Sequence, residues 1–287
     1  MADNATPSRS LFFLRAAWGS FLENKEAVIL LALFYAMITL LMPSPFRAII
    51  IGGEADAEAL LSSPEAMARA APMVLFASGV LLAVSSLITV LLARLIVLGR
   101  SAVLAGGTAA LVRRSLKVVV RSLAAIFWIL LYGLPGFILA GLIAGVTGGA
   151  LTALLAVGLL IWVIVVAAAV IAAFYASVLA ESIDRPLGVL EGWKALKGKQ
   201  LDLAGSILIL WVIMVVVLAI VGPLIIGVSD IFIGSAAANV LNFVLTTVLS
   251  SIVTFALMAS TFFVLGVTAP KLLAPAALGR IGRLDDD

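Results

Sequence analysis

The sequence predicts an all-α, polytopic membrane protein with six transmembrane helices in three pseudo-repeats, each an amphipathic elbow helix followed by two spanning helices. Three observations carry this. Hydrophobic residues make up 64% of the 287 positions and charged residues only 11%, where a soluble domain is about half apolar and a quarter charged. The apolar residues fall in six tracts near the roughly 20 residues needed to cross a bilayer. The charges gather in the gaps between the tracts, and they gather asymmetrically.

The first tract is 27–43, close to the minimum length for a span, with the preceding turn available to lengthen it. A polar connection follows, closing near Pro72, and the second tract is 73–99. The third runs from about 123 to 146 and contains Gly133-Leu134-Pro135-Gly136, where the proline removes a backbone donor and is expected to kink the helix. Thr147-Gly148-Gly149 reads as a tight turn into the fourth tract, about 150–180. The fifth covers about 203–227, with Gly222-Pro223 as a second expected kink, and the sixth about 238–268.

With the N-terminus in the cytoplasm, every Lys and Arg except Arg47 and Arg69 falls on the cytoplasmic side. That is the positive-inside pattern, and it places both termini in the cytoplasm. The N-terminal stretch is expected to be retained. Arg15 interrupts its apolar residues, and no small-residue cleavage site precedes the first tract.

Three stretches, each just before an odd-numbered tract, share one pattern: LRAAWGSFLENKEAVIL (14–30), LVRRSLKVVVRSLAAIF (111–127) and VLEGWKALKGKQLDLAG (189–205). Each is a short basic segment, apolar on one side, running directly into a span, and Trp18 aligns with Trp193 without a gap. The single membrane domain 1–287 then divides into repeats of about 8–99, 101–180 and 184–270, with a polar tail at 271–287. On a helical wheel Arg113, Arg114, Lys117 and Arg121 share one arc, and Val112, Leu116, Val119 and Leu123 lie opposite. Such a helix is expected to lie in the interface with its basic side toward headgroups. In the third copy Asp184 reads as the helix N-cap, Pro186 as a first-turn residue and Gly198 as the stop.

Glu181, Pro186, Gly192-Trp193 and Lys197-Gly198-Lys199 leading into a span resemble the repeat of a bacterial membrane-protein group. That group contains the membrane domain of some glycerophosphodiester phosphodiesterases and the YciC-like inner-membrane proteins. The resemblance covers most of the chain in layout and rests on a short motif. It implies surface helices alternating with pairs of spans in a bacterial inner (plasma) membrane. It implies no catalysis, because that group's activity sits in a separate soluble domain built on histidines and metal-binding carboxylates.

The chain has no histidine and no cysteine. The commonest general base, the commonest metal ligand and every thiolate are therefore missing, and no cofactor or metal is expected. A membrane-embedded enzyme would need Glu181, Asp184 and Glu191 to converge on a lipid headgroup. Hydroxyl and amide residues recur in the second tract (Ser85, Ser86, Thr89) and along the sixth (Asn239, Asn242, Thr247, Ser251, Ser260, Thr261 among them). They read as helix-packing residues or as the polar lining of a path. Arg94, at a span end, is expected to snorkel to the interface. The candidate surface for a lipid headgroup or a docking partner is Arg113, Arg114, Lys117, Arg121, Lys194, Lys197 and Lys199, with Trp18 and Trp193 as interface anchors. Membrane lipids, anionic ones above all, and a membrane-protein partner are the expected contacts, and nucleic acid is not. The function expected is non-enzymatic: interacting with lipids and organising or accompanying membrane machinery. The alternative is a transporter of a lipid or small amphiphile.

Overall fold

The computed structural model describes residues 9–42, 63–147, 150–185, 187–198 and 235–268, together with scattered helical positions between 205 and 223. Among these residues the chain is helical without a strand: α1 (Arg9–Leu40), α2 (Pro64–Leu98), α3 (Gly107–Thr147), α4 (Ala150–Ser182), the short α5 (Val189–Ala195) and α6 (Ser235–Thr268). Among the described residues four stretches are long and apolar enough to cross a membrane, namely Pro64–Leu98, Gly107–Pro135, Val157–Ser182 and Leu241–Gly266. The fifth tract falls mostly outside the described residues, as do the polar tail and Gly148-Gly149.

Two helices are longer than the sequence suggests, because the basic segments do not turn away from the spans they precede. The first elbow and first span are one continuous helix, α1. The second elbow and third span are likewise continuous in α3, which also runs through Pro135 for 41 residues in all. At 1.5 Å per residue that is about 60 Å, twice the hydrocarbon thickness. No strong breaker separates Arg121 from the apolar residues after it, so backbone hydrogen bonding carries the helix on. α2 likewise begins eight residues before Pro72. Ser63 is its N-cap, with Oγ accepting from the Ala66 N–H at 3.3 Å, and Pro64 and Glu65 occupy the first turn.

α2 is the central element, touching α1, α3, α4 and α6, while α1 lies along α6 and α3 along α4. The face α1 turns inward is Ser20, Asn24, Val28, Ala32 and Ala36, spaced four apart and mostly small, so that helix backbones approach closely without needing a hydrophobic drive. Phe255 and Phe262 of α6 fill the space against α1, α2 and α4. Their rings meet Tyr35 and Tyr175 edge-on at 5.3 and 5.4 Å. The hydroxyls of Thr89, Thr247, Ser251 and Thr261 donate to carbonyls of their own helices. That satisfies them locally and fits the packing role.

The helices are not buried equally. About half of the apolar window of α2 and of α6 is buried (56% and 50%), against 17% for α3 and 19% for α4. The packed core sits where α2 and α4 end and α3 begins. Beyond it the α3–α4 hairpin carries exposed Leu123, Phe127, Leu130, Leu134 and Val157.

Candidate functional site

The charged end of the α3–α4 hairpin is built by helical spacing. Arg114, Lys117 and Arg121 lie at i, i+3 and i+7 on α3, and Ser177, Glu181 and Asp184 stand opposite at the end of α4. Arg114 clasps Asp184 through Nε to Oδ1 at 3.0 Å and through Nη2 to Oδ1 and Oδ2 at 2.7 and 2.9 Å. Lys117 Nζ donates to Glu181 Oε1 at 2.9 Å, and Arg121 Nη2 to Oε2 at 2.6 Å. Arg121 Nη1 also donates to the Ser177 carbonyl at 2.8 Å. The Glu181 side chain is only 5% exposed and holds both cations.

This orientation is the reverse of the expected one. The basic arc of α3 faces α4, and Val112, Leu116, Val120 and Leu123 are the exposed residues. The reason is pairing: Asp184 and Glu181 at the end of α4 draw Arg114, Lys117 and Arg121 toward it. Of the four, Arg113 is exposed, Lys117 is half exposed, and Arg114 and Arg121 are largely covered.

Asp184 does not cap α5. It has φ +64 and follows the end of α4, where the Arg185 N–H donates to the Ala180 carbonyl at 2.8 Å and the Asp184 N–H to the Glu181 carbonyl at 3.1 Å. This is a left-handed helix stop, usually taken by Gly and tolerated by Asp. The α5 cap is Gly188, whose N–H donates to Glu191 Oε2 at 2.8 Å. α5 ends at Ala195 with Leu196 as its C-cap, so the expected stop at Gly198 falls past the helix end, in a turn where it has φ +86, and Pro186 lies outside the described residues. α5 presses onto α4 at Gly192, where a Cβ would stand 2.6 Å from the Ala173 carbonyl oxygen.

Arg94 does not snorkel. It is 2% exposed and donates to four backbone carbonyls: Val103 (2.8 Å, from Nε), Ser182 (2.6 Å, from Nη1), and Ala102 and Ala105 (2.8 and 3.0 Å, from Nη2). It thereby ties the α2–α3 connection to the negative end of the α4 dipole. Sequence reasoning missed this role. The available signal is an Arg five residues before the glycine that ends its own helix, followed by a short connection whose carbonyls it can reach.

Lys194 and Lys197 are exposed at the C-terminal side of α5, and Lys199 lies outside the described residues. Trp18 sits in α1 at a position whose side chain is likewise outside them. Trp193 is partly buried in a cleft of about 330 Å³ between α3, α4 and α5. Trp128 and Tyr132 of α3, stacked at 5.6 Å, form one wall, and Leu190 and Trp193 of α5 another. Ala169 and Ala173 leave its floor open, and Trp162 lies at its far end. Among the described residues no group of three or more acidic, His or Cys side chains is placed to hold a metal ion. No family model, curated protein or solved structure matches this chain.

Proposed function

We propose that this chain is a non-enzymatic integral membrane protein that interacts with lipids and organises or accompanies membrane machinery. The observation that carries the reading is where space is filled and where it is left. The helices meet in a core closed by Phe255, Phe262, Ile88 and Leu92. The apolar surface and the aromatic cleft lie outside that core, on the flank of the α3–α4 hairpin. A scaffold in lipid needs a closed centre and an available flank. On this reading the chain makes six crossings in three repeats, with both termini cytoplasmic in a bacterial inner membrane, as the resemblance to the phosphodiesterase membrane domain and YciC-like group implies. Arg113, Lys194 and Lys197 supply the cationic face toward headgroups, because Arg114, Lys117 and Arg121 are engaged within the protein.

Native mass spectrometry in a mild detergent tests it. A retained lipid, or a second polypeptide retained with it, supports the reading, and a protein that flies bare and alone overturns it. Loss of a lipid-modifying activity in Glu181→Gln, with expression intact, would also overturn it. A carrier for a lipid or small amphiphile is the second reading, favoured by the cleft. Translocation of a fluorescent lipid in proteoliposomes separates the two.

A further inference from the structure

The cleft has the length, chemistry and surroundings of a site for one lipid molecule. From Ala173 to Trp162 it spans eleven residues of α4. At 1.5 Å per residue this is about 16 Å, half of a roughly 30 Å hydrocarbon core and so the depth of one leaflet. Its volume of about 330 Å³ lies at the low end of the roughly 300–1,000 Å³ usual for small-molecule sites. Its lining is aromatic and aliphatic, with indole and phenol groups that suit the headgroup boundary.

Charge selects the occupant. Lys194 follows the lining residue Leu190 by four positions within α5, which places it one turn along the same side of that helix, and Lys197 lies in the turn just beyond the helix end. Both are exposed, and neither has an ion-pair partner among the described residues. Glu191, the nearest acid in sequence, is turned back to the Gly188 N–H. The other carboxylates at this end, Glu181 and Asp184, are held by α3. Two exposed lysines without an ion-pair partner among the described residues therefore stand at the end of the helix that walls an apolar slot about one leaflet deep.

We propose that the α3–α4–α5 cleft binds one anionic membrane lipid, an acyl chain lying along Ala169 and Ala173 between the aromatic walls and its headgroup on Lys194 and Lys197. This rests on the lipid-interacting reading and narrows it to one site and one charge class. The test is native mass spectrometry of protein equilibrated with equal phosphatidylglycerol and phosphatidylcholine. One phosphatidylglycerol per chain is expected. Lys194→Gln with Lys197→Gln should reduce the preference for it roughly thirtyfold, at the usual worth of a lysine near an anionic surface. Ala169→Phe, which fills the floor, should abolish retention of both lipids. A phosphatidylglycerol carrying a diazirine in its acyl chain reports on the wild-type fold directly. Adducts should concentrate at Trp128–Tyr132 and Leu190–Trp193 over the exposed Leu75 and Phe76 of α2. A retained lipid with adducts spread evenly, or an unchanged preference in the lysine variant, overturns the site and leaves the lipid-interacting reading standing. A polypeptide crosslinked into the cleft also overturns the site. If no lipid is retained at all, the site falls, and the lipid half of the proposed function falls with it.

Discussion

Replacing Glu181 leaves Lys117 and Arg121 facing one another without an anion, in a place where only 5% of the Glu181 side chain reaches the surface. Breaking one partner out of a buried ion cluster costs about 3–5 kcal/mol, so Glu181→Ala should lower the thermal midpoint in detergent markedly. Glu181→Gln combined with Arg121→Gln should cost less than the two single changes summed, since the double change removes one of the two cations that Glu181→Gln alone strands. Arg94 gives a second test. Arg94→Lys keeps the charge, but one ammonium cannot reproduce the planar fork that meets carbonyls from both the α2–α3 connection and the end of α4. Each lost hydrogen bond from a charged donor is worth about 1.5–3 kcal/mol, and fluorimetric unfolding should show at least that much. The role of Glu181 is not visible in local sequence, because its partner Arg121 is 60 positions away, and that of Arg94 is visible only in part, because one of its four carbonyls is 88 positions away.

The elements were legible in proportion to how far their causes are local. Length and apolar content place α2, α3, α4 and α6 as long helices, because a span answers to composition alone. A left-handed turn at Gly198 was also legible, since its residue type carries the cause, though the helix itself ends earlier, at Ala195. The facing of α3 was not. The same wheel of Arg114, Lys117 and Arg121 fits a helix lying on headgroups or one turned toward a partner's carboxylates, and only the antiparallel register with Glu181 and Asp184 decides. Counting back from the Thr147–Ala150 turn aligns Arg114 with Asp184 and would have exposed that pairing. α5 carries its own prediction. Gly192→Ala puts a methyl against the Ala173 carbonyl, a backbone atom that cannot yield cheaply. α5 should lift from α4, measured as faster proteolysis around residues 188–198 with α4 unaffected.

At the scale of the molecule, the absence of cysteine makes single-cysteine labelling direct. On the proposed topology, cysteines replacing Lys194 and Arg69 should react with membrane-impermeant maleimide from opposite sides, and one replacing exposed Leu130 of the hairpin should resist it from both. Labelling of positions 194 and 69 from the same side would refute that topology. Arg94 has a further consequence, in the order of events as the chain is made. Three of its four carbonyls lie within eleven residues and are available soon after α2 emerges. The fourth, Ser182, is 88 residues later. Until α4 is made and its end meets α2, the guanidinium lacks its last carbonyl. The seating of α2 at this end is therefore completed only by the fourth helix, and a nascent chain stopped before residue 182 should be cut faster by protease at the α2–α3 connection than the full chain.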